Sequence, residues 1–148
     1  MIAIGGDHAS LELKAEIIEH LKGRGIEAKD FGTYTKESCD YPDIAKVVAK
    51  AVLSGECEKG ILICGTGIGI SIAANRIKGI RCALCGDCFS AQATREHNDS
   101  NILALGARVI GQVVAEDITE TFLTTGFLGG RHGIRVDMLA ELDKKYKK

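Results

Sequence analysis

Gly60-Ile61-Leu62-Ile63-Cys64-Gly65-Thr66-Gly67-Ile68-Gly69-Ile70-Ser71 is the stretch from which the fold can be read. Its first half is a continuous apolar run, the pattern of a strand covered on both faces. Its second half sets glycines at alternate positions, and a helix through Ala73–Asn75 follows. Strand, tight turn and helix repeat outward in both directions. Strands are predicted at Met1–Gly5, Glu27–Phe31, Arg81–Leu84 and Ile102–Leu105, besides Gly60–Cys64. Between them, helical spacing of apolar residues predicts helices over Ser10–Lys22, Pro42–Leu53 and Ala91–Glu96, then Val113–Thr124 and Val136–Lys145. Ser10 is the expected N-cap of the first helix, and Pro42 suits the first turn of the second. Alternating strands and helices with short connections imply an α/β fold. The expectation is a single domain over residues 1–148, a doubly wound (Rossmann/flavodoxin-like) five-stranded parallel sheet with helices on both faces.

The composition excludes several classes. A chain of 148 residues with 45% hydrophobic and 26% charged residues is an ordinary globular domain. Its formal net charge of −1 offers no global attraction for nucleic acid or an anionic membrane. No apolar run approaches the roughly 20 residues of a membrane span, and the N-terminus lacks signal-peptide character. A cytoplasmic protein is expected. The six cysteines then read as free thiols. Cys82-x-x-Cys85-x-x-Cys88 resembles part of a metal site, but no fourth ligand lies nearby, and Cys82 and Cys85 would point to opposite faces of a strand. Buried structural thiols are the expected reading, with no metal and no cofactor.

In a doubly wound sheet, ligands bind beyond the carboxyl ends of the strands. Alternate glycines after Cys64 let several backbone N–H groups converge, and the following helix adds its positive end. The loop is a cradle for a phosphate or an oxyanion. It is not a dinucleotide fingerprint, since the spacing is G-x-G-x-G after the third strand, and it lacks the lysine of a nucleotide-phosphate loop. A thiol in that cradle has its thiolate stabilised, so Cys64 can act as nucleophile or general base; its position also fits a cysteine that merely ends a buried strand. Thr66 could relay a proton between adjacent oxygens, or serve the turn alone.

Asp7-His8 follows the first strand and should lie at the same sheet edge as Cys64, although Asp7 could equally cap a helix. His97-Asn98-Asp99, at a helix end, offers an acid–base residue with hydrogen-bonding neighbours. Arg131 and Arg135, four residues apart at a helix start, suit a phosphate, and Arg108 could join them, although taken alone they read more readily as a solvated surface pair. His20 reads as a surface residue of the first helix.

Together these segments resemble the type B ribose-5-phosphate isomerases, in the family shared with allose-6-phosphate and galactose-6-phosphate isomerases. The marks are Gly6-Asp7-His8-Ala9, Asp40-Tyr41-Pro42, Cys64–Ser71, Arg95-Glu96-His97-Asn98, and Gly129-Gly130-Arg131-His132 with Arg135. The resemblance implies an aldose–ketose isomerase working through an enediolate. His97 would open the sugar ring with help from Asp7, and Cys64 would take the C2 proton. Thr66 would move a proton between the oxygens, and backbone N–H groups of Gly65, Gly67, Ile68 and Gly69 would form an oxyanion hole. His8, Arg108, Arg131 and Arg135 would hold the phosphate, with Tyr41 and Asn98 on the sugar. One branch of the family carries a catalytic glutamate at the position of Ile68, which cannot take a proton, so Cys64 is the base within this loop. No cofactor, nucleic acid or membrane is implied. The family forms homodimers, or dimers of dimers, with active sites shared between subunits, and the His97–Arg108 segment is expected from the neighbour. Allose 6-phosphate as substrate, and a non-catalytic phosphate-binding module, are the alternatives.

Overall fold

The computed structural model describes residues Met1–Lys148. Strands β1 (Ile2–Gly6), β2 (Ala28–Asp30), β3 (Lys59–Cys64), β4 (Cys82–Leu84) and β5 (Ile102–Gly106) are each followed by a helix. These are α1 (Leu11–Gly23), α2 (Tyr41–Leu53), α3 (Ile68–Asn75), α4 (Cys88–Asn98) and α5 (Gln112–Thr124), and α6 (Arg131–Tyr146) closes the chain. All strands are parallel, in the order β2-β1-β3-β5-β4. The doubly wound sheet is as expected, with one difference in detail. The flavodoxin order sets the fourth strand beside the third, whereas here β5 lies between β3 and β4.

That order assigns each helix its face. Right-handed crossovers put helices on opposite faces when the chain steps in opposite directions across the sheet. The β1–β2 and β4–β5 steps share one direction, and the β2–β3 and β3–β4 steps share the other. Accordingly Leu13, Ile17 and Leu21 of α1 and Ala91 of α4 share one core with Ile4, Ile61, Ile63, Leu103 and Leu105. Ala115, Ile118 and Phe122 of α5 complete it. Ala45, Val48 and Ala49 of α2 and Ile70 and Ala74 of α3 cover the other face, on Ala3, Leu62, Cys64, Ile102 and Ala104. Alternate strand residues thus serve alternate cores, which is why the three inner strands read as unbroken apolar runs.

Helix ends differ in places from the sequence expectation. Ser10 stands at the start of α1, but its hydroxyl donates to the Asp7 carbonyl at 2.6 Å instead of capping a helix N–H. α4 begins at Cys88 because the Asp87 carboxylate accepts from the Ser90 N–H at 2.7 Å, a cap upstream of the predicted Ala91 start. α6 begins at Arg131, upstream of the predicted Val136, after Gly129 and Gly130 turn the chain at positive φ. His20 is half-buried, its Nε2 3.0 Å from Glu120 Oε1, and ties α1 to α5. No helix is long and apolar enough to cross a membrane.

Cys85 enters the first core while Cys82 borders the second, so the two thiols face opposite sides of β4. Burial pushes the Cys85 thiol up to about 11, with the Asp87 carboxylate adding to it. Above the ordinary thiol range the unfolded chain releases a proton that folded Cys85 retains, so stability must fall as pH rises from 9 toward 11. Urea midpoints across that range should decline, and less steeply in Cys85→Ala. Phe122, fully buried beneath α4, should cost about 3–5 kcal/mol when cut to alanine, measured by the same urea titration.

Candidate active site

The carboxyl edge of the inner strands gathers the first group of predicted site residues. Cys64 ends β3, 5% exposed, and its Sγ accepts from the Gly67 N–H at 3.1 Å. That bond needs the backbone to reverse at Gly67, whose φ of +78° favours glycine, and a Cβ there would also lie 2.9 Å from the Leu105 carbonyl carbon. Thr66 Oγ1 accepts from the Ile68 N–H at 3.2 Å, which leaves its hydroxyl hydrogen free to donate. The N–H groups of Gly65, Thr66 and Gly69 have no backbone acceptor. Of the four N–H groups expected to form an oxyanion hole, those of Gly67 and Ile68 are thus engaged inside the loop, and those of Gly65 and Gly69 are available. Tyr41 opens α2 with its ring against Gly69, where a Cβ would stand 2.8 Å from Cζ.

Asp7 and His8 join from the end of β1. The Asp7 N–H donates to the Ile63 carbonyl at 3.1 Å, which ties it beside Cys64. Its carboxylate accepts from the Ala9 N–H at 2.9 Å and does not cap α1. His8 Nδ1 accepts from the Cys39 N–H at 3.3 Å, which puts the hydrogen of the neutral ring on Nε2. Arg108 also belongs here: its N–H donates to the Gly65 carbonyl at 2.9 Å, and its guanidinium lies over Gly65.

The second group stands at the opposite edge. His97 and Asn98 end α4, the helix that returns from the carboxyl edge to the start of β5. Arg81, at the start of β4, donates from Nε to the Asn98 carbonyl at 3.0 Å. Asn101 accepts from the N–H of Gly60, near the start of β3, at 3.0 Å. Gly60 to Cys64 is a further four residues of extended chain, about 13 Å. His97 stacks on His132 with ring centroids 4.4 Å apart, and Arg135 lines the same cleft. Arg131, Arg135 and Arg108 all lack a carboxylate partner within the chain.

The predicted residues therefore form two groups. Asp7, His8, Tyr41, Cys64, Thr66 and Arg108 share the carboxyl edge; His97, Asn98, Arg131 and Arg135 share the other. The expectation that His97–Arg108 acts as one segment is corrected, because β5 spans the sheet between its two ends. Sequence reasoning gave no role to Arg95, which is 7% exposed and donates from Nη1 to Asp99 Oδ1 at 2.9 Å and the Ser100 carbonyl at 2.7 Å. These bonds close the turn after His97, where Asp99 takes a φ of +47°. The available signal was an arginine on the helix one turn before an aspartate. A thiol held by a backbone N–H, beside free N–H groups and unpaired arginines, suits proton abstraction from a phosphorylated carbonyl compound.

Comparisons with known proteins place the chain among sugar-phosphate isomerases. The family model described as Ribose/Galactose Isomerase matches residues 2–139. Ribose-5-phosphate isomerase B of Escherichia coli is 49% identical over 144 residues, covering 97% of each chain. The solved structure of Clostridium thermocellum ribose-5-phosphate isomerase B is 56% identical, covers 99% of each chain and superposes with a TM-score of 0.97. A Mycoplasma genitalium ribose-5-phosphate isomerase B, solved with bound ribulose 5-phosphate, is 39% identical over 97% of this chain and 96% of its own, with a TM-score of 0.92. Sequence, fold and site geometry converge, and the chain belongs to the ribose/galactose isomerase family.

Proposed function

We propose that this chain interconverts ribose 5-phosphate and ribulose 5-phosphate as one catalytic domain, in a site that two copies build together. The observation that carries the reading is Cys64 Sγ, 3.1 Å from the Gly67 N–H and beside N–H groups without an acceptor, in a chain of this family. In the furanose, the bond from C1 to the ring oxygen breaks. His97 supplies the proton to that oxygen, while Asp7 receives the proton of the C1 hydroxyl. Cys64, its Sγ held by the Gly67 N–H, then takes the C2 proton as its thiolate. The electron pair forms the C1–C2 double bond, and negative charge gathers on O1. The Gly65 and Gly69 N–H groups stabilise that charge. Thr66 carries a proton from O2 to O1, Cys64 returns its proton to C1, and the carbonyl re-forms at C2. His8 and Arg108 grip the phosphate from one chain, Arg131 and Arg135 from the other, while Tyr41 and Asn98 meet the sugar.

The separation of the two groups supports a site shared between two copies. In a two-fold dimer each chain offers its Cys64 edge to one site and its His97 edge to the other. Surface apolarity supports this: α6 buries no residue against its own chain and exposes Ile134, Met138 and Leu142, as α3 exposes Ile68 and Ile72. We assign the enzyme to the cytoplasm, where charged sugar phosphates are retained.

Proton NMR of ribose 5-phosphate with the protein in deuterated water should show loss of the C2 proton signal as ribulose 5-phosphate forms. Cys64→Ala should lower the rate at least about 1,000-fold, the scale of losing an essential base, while substrate binding survives. Equal turnover by that variant would remove Cys64 as base, and turnover of allose 6-phosphate alone would change the substrate.

A further inference from the structure

His132 has no part in the chemistry above, yet it stacks on a residue that does. It opens α6, while His97 ends α4, and the two rings stack within 20° of parallel at 4.4 Å. No hydrogen bond to the chain holds the His97 imidazole, so this stack is what orients it. The platform beneath is well anchored. The Leu128 N–H donates to the Glu96 carbonyl at 3.2 Å, fastening the approach segment to α4 one residue before His97. Gly129 and Gly130, at φ of +70° and +57°, then turn the chain so that α6 starts beside the end of α4. The His132 N–H closes that turn on the Gly129 carbonyl at 3.1 Å.

We infer that His132 is a positioning residue: its ring face aims the His97 imidazole across the subunit boundary at the ring oxygen of the sugar. The inference rests on the ring-opening role of His97 proposed above. Charge supports the division of labour. Burial, the His97 ring and the guanidinium groups of Arg131 and Arg135 hold His132 below the usual histidine range, against a smaller opposing pull from Glu96. His132 therefore stays uncharged near neutral pH, and no second imidazolium opposes the proton that His97 takes up and gives back. Offset or parallel stacking with a flat ring is the part of this role another aromatic residue can supply.

The test compares a cyclic and an acyclic substrate in His132→Ala, His132→Phe and His97→Ala. Ribose 5-phosphate must be opened before it reacts, whereas deuterium exchange at C1 of ribulose 5-phosphate needs only Cys64 and the loop. His132→Ala should lower kcat for ribose 5-phosphate by about fivefold to tenfold, the scale of an aromatic pair. Exchange into ribulose 5-phosphate should change by less than about twofold, and His132→Phe should recover most of the lost kcat. An equal fall in both assays, or no recovery with phenylalanine, overturns the positioning role. A His97→Ala variant without the split would instead overturn the ring-opening role on which it rests.

Discussion

Every strand of this sheet runs the same way, so each helix that follows a strand must carry the chain back to where the next strand begins. Residues just after a strand and residues at the end of the next helix are thereby held a full strand length apart. Cys64 is of the first kind, at the end of β3, and His97 of the second, at the end of α4. The Cys64 thiol and the His97 imidazole therefore stand at opposite edges of one molecule. The same separation divides the arginines, with Arg108 over the Gly65 backbone and Arg135 beside His97. This separation is the ground for the proposal that two copies build one site.

Each half is held rigid by the chain that carries it. At the carboxyl edge, the glycine-rich turn is folded so that the Gly67 N–H is spent on Cys64 and the Ile68 N–H on Thr66. The N–H groups left over, on Gly65 and Gly69, are those with no local duty and are free to meet charge on a substrate. At the other edge, the buried Arg95 guanidinium spans α4, the turn at Asp99 and the Thr125 carbonyl, and lies 5.7 Å from the centre of the Phe122 ring. The core beneath α4 and the placement of His97 are thus one mechanical unit. Loosening Phe122 should therefore reach the site through Arg95.

Much of this was legible in the residues. The apolar run Gly60–Cys64 and its alternate glycines marked a buried parallel strand and a backbone cradle, because a short apolar run that ends in a glycine-rich turn suits a strand covered on both faces. The marks of the family pointed to Cys64, His97 and the arginines. What the sequence left open follows from its local character. Inserting β5 between β3 and β4 costs nothing in any single strand's pattern, so strand order leaves no trace there. The early starts of α4 and α6 depend on Asp87 and on two glycines, signals shorter than the apolar periodicity used to find helices. The division of the His97–Arg108 segment depends on β5 crossing the sheet, and the His97–His132 stack on two elements 35 residues apart meeting. Both are facts of three-dimensional packing.

The most direct test of the split site is a hybrid dimer. Cys64→Ala and His97→Ala chains, each carrying a different affinity tag, would be co-expressed and the mixed dimer isolated. Each parent homodimer should be nearly inactive on ribose 5-phosphate. The hybrid contains one site with both lesions and one with none, so it should show about half the wild-type activity per dimer. A hybrid as inactive as its parents would place Cys64 and His97 in the same chain's site and contradict the account.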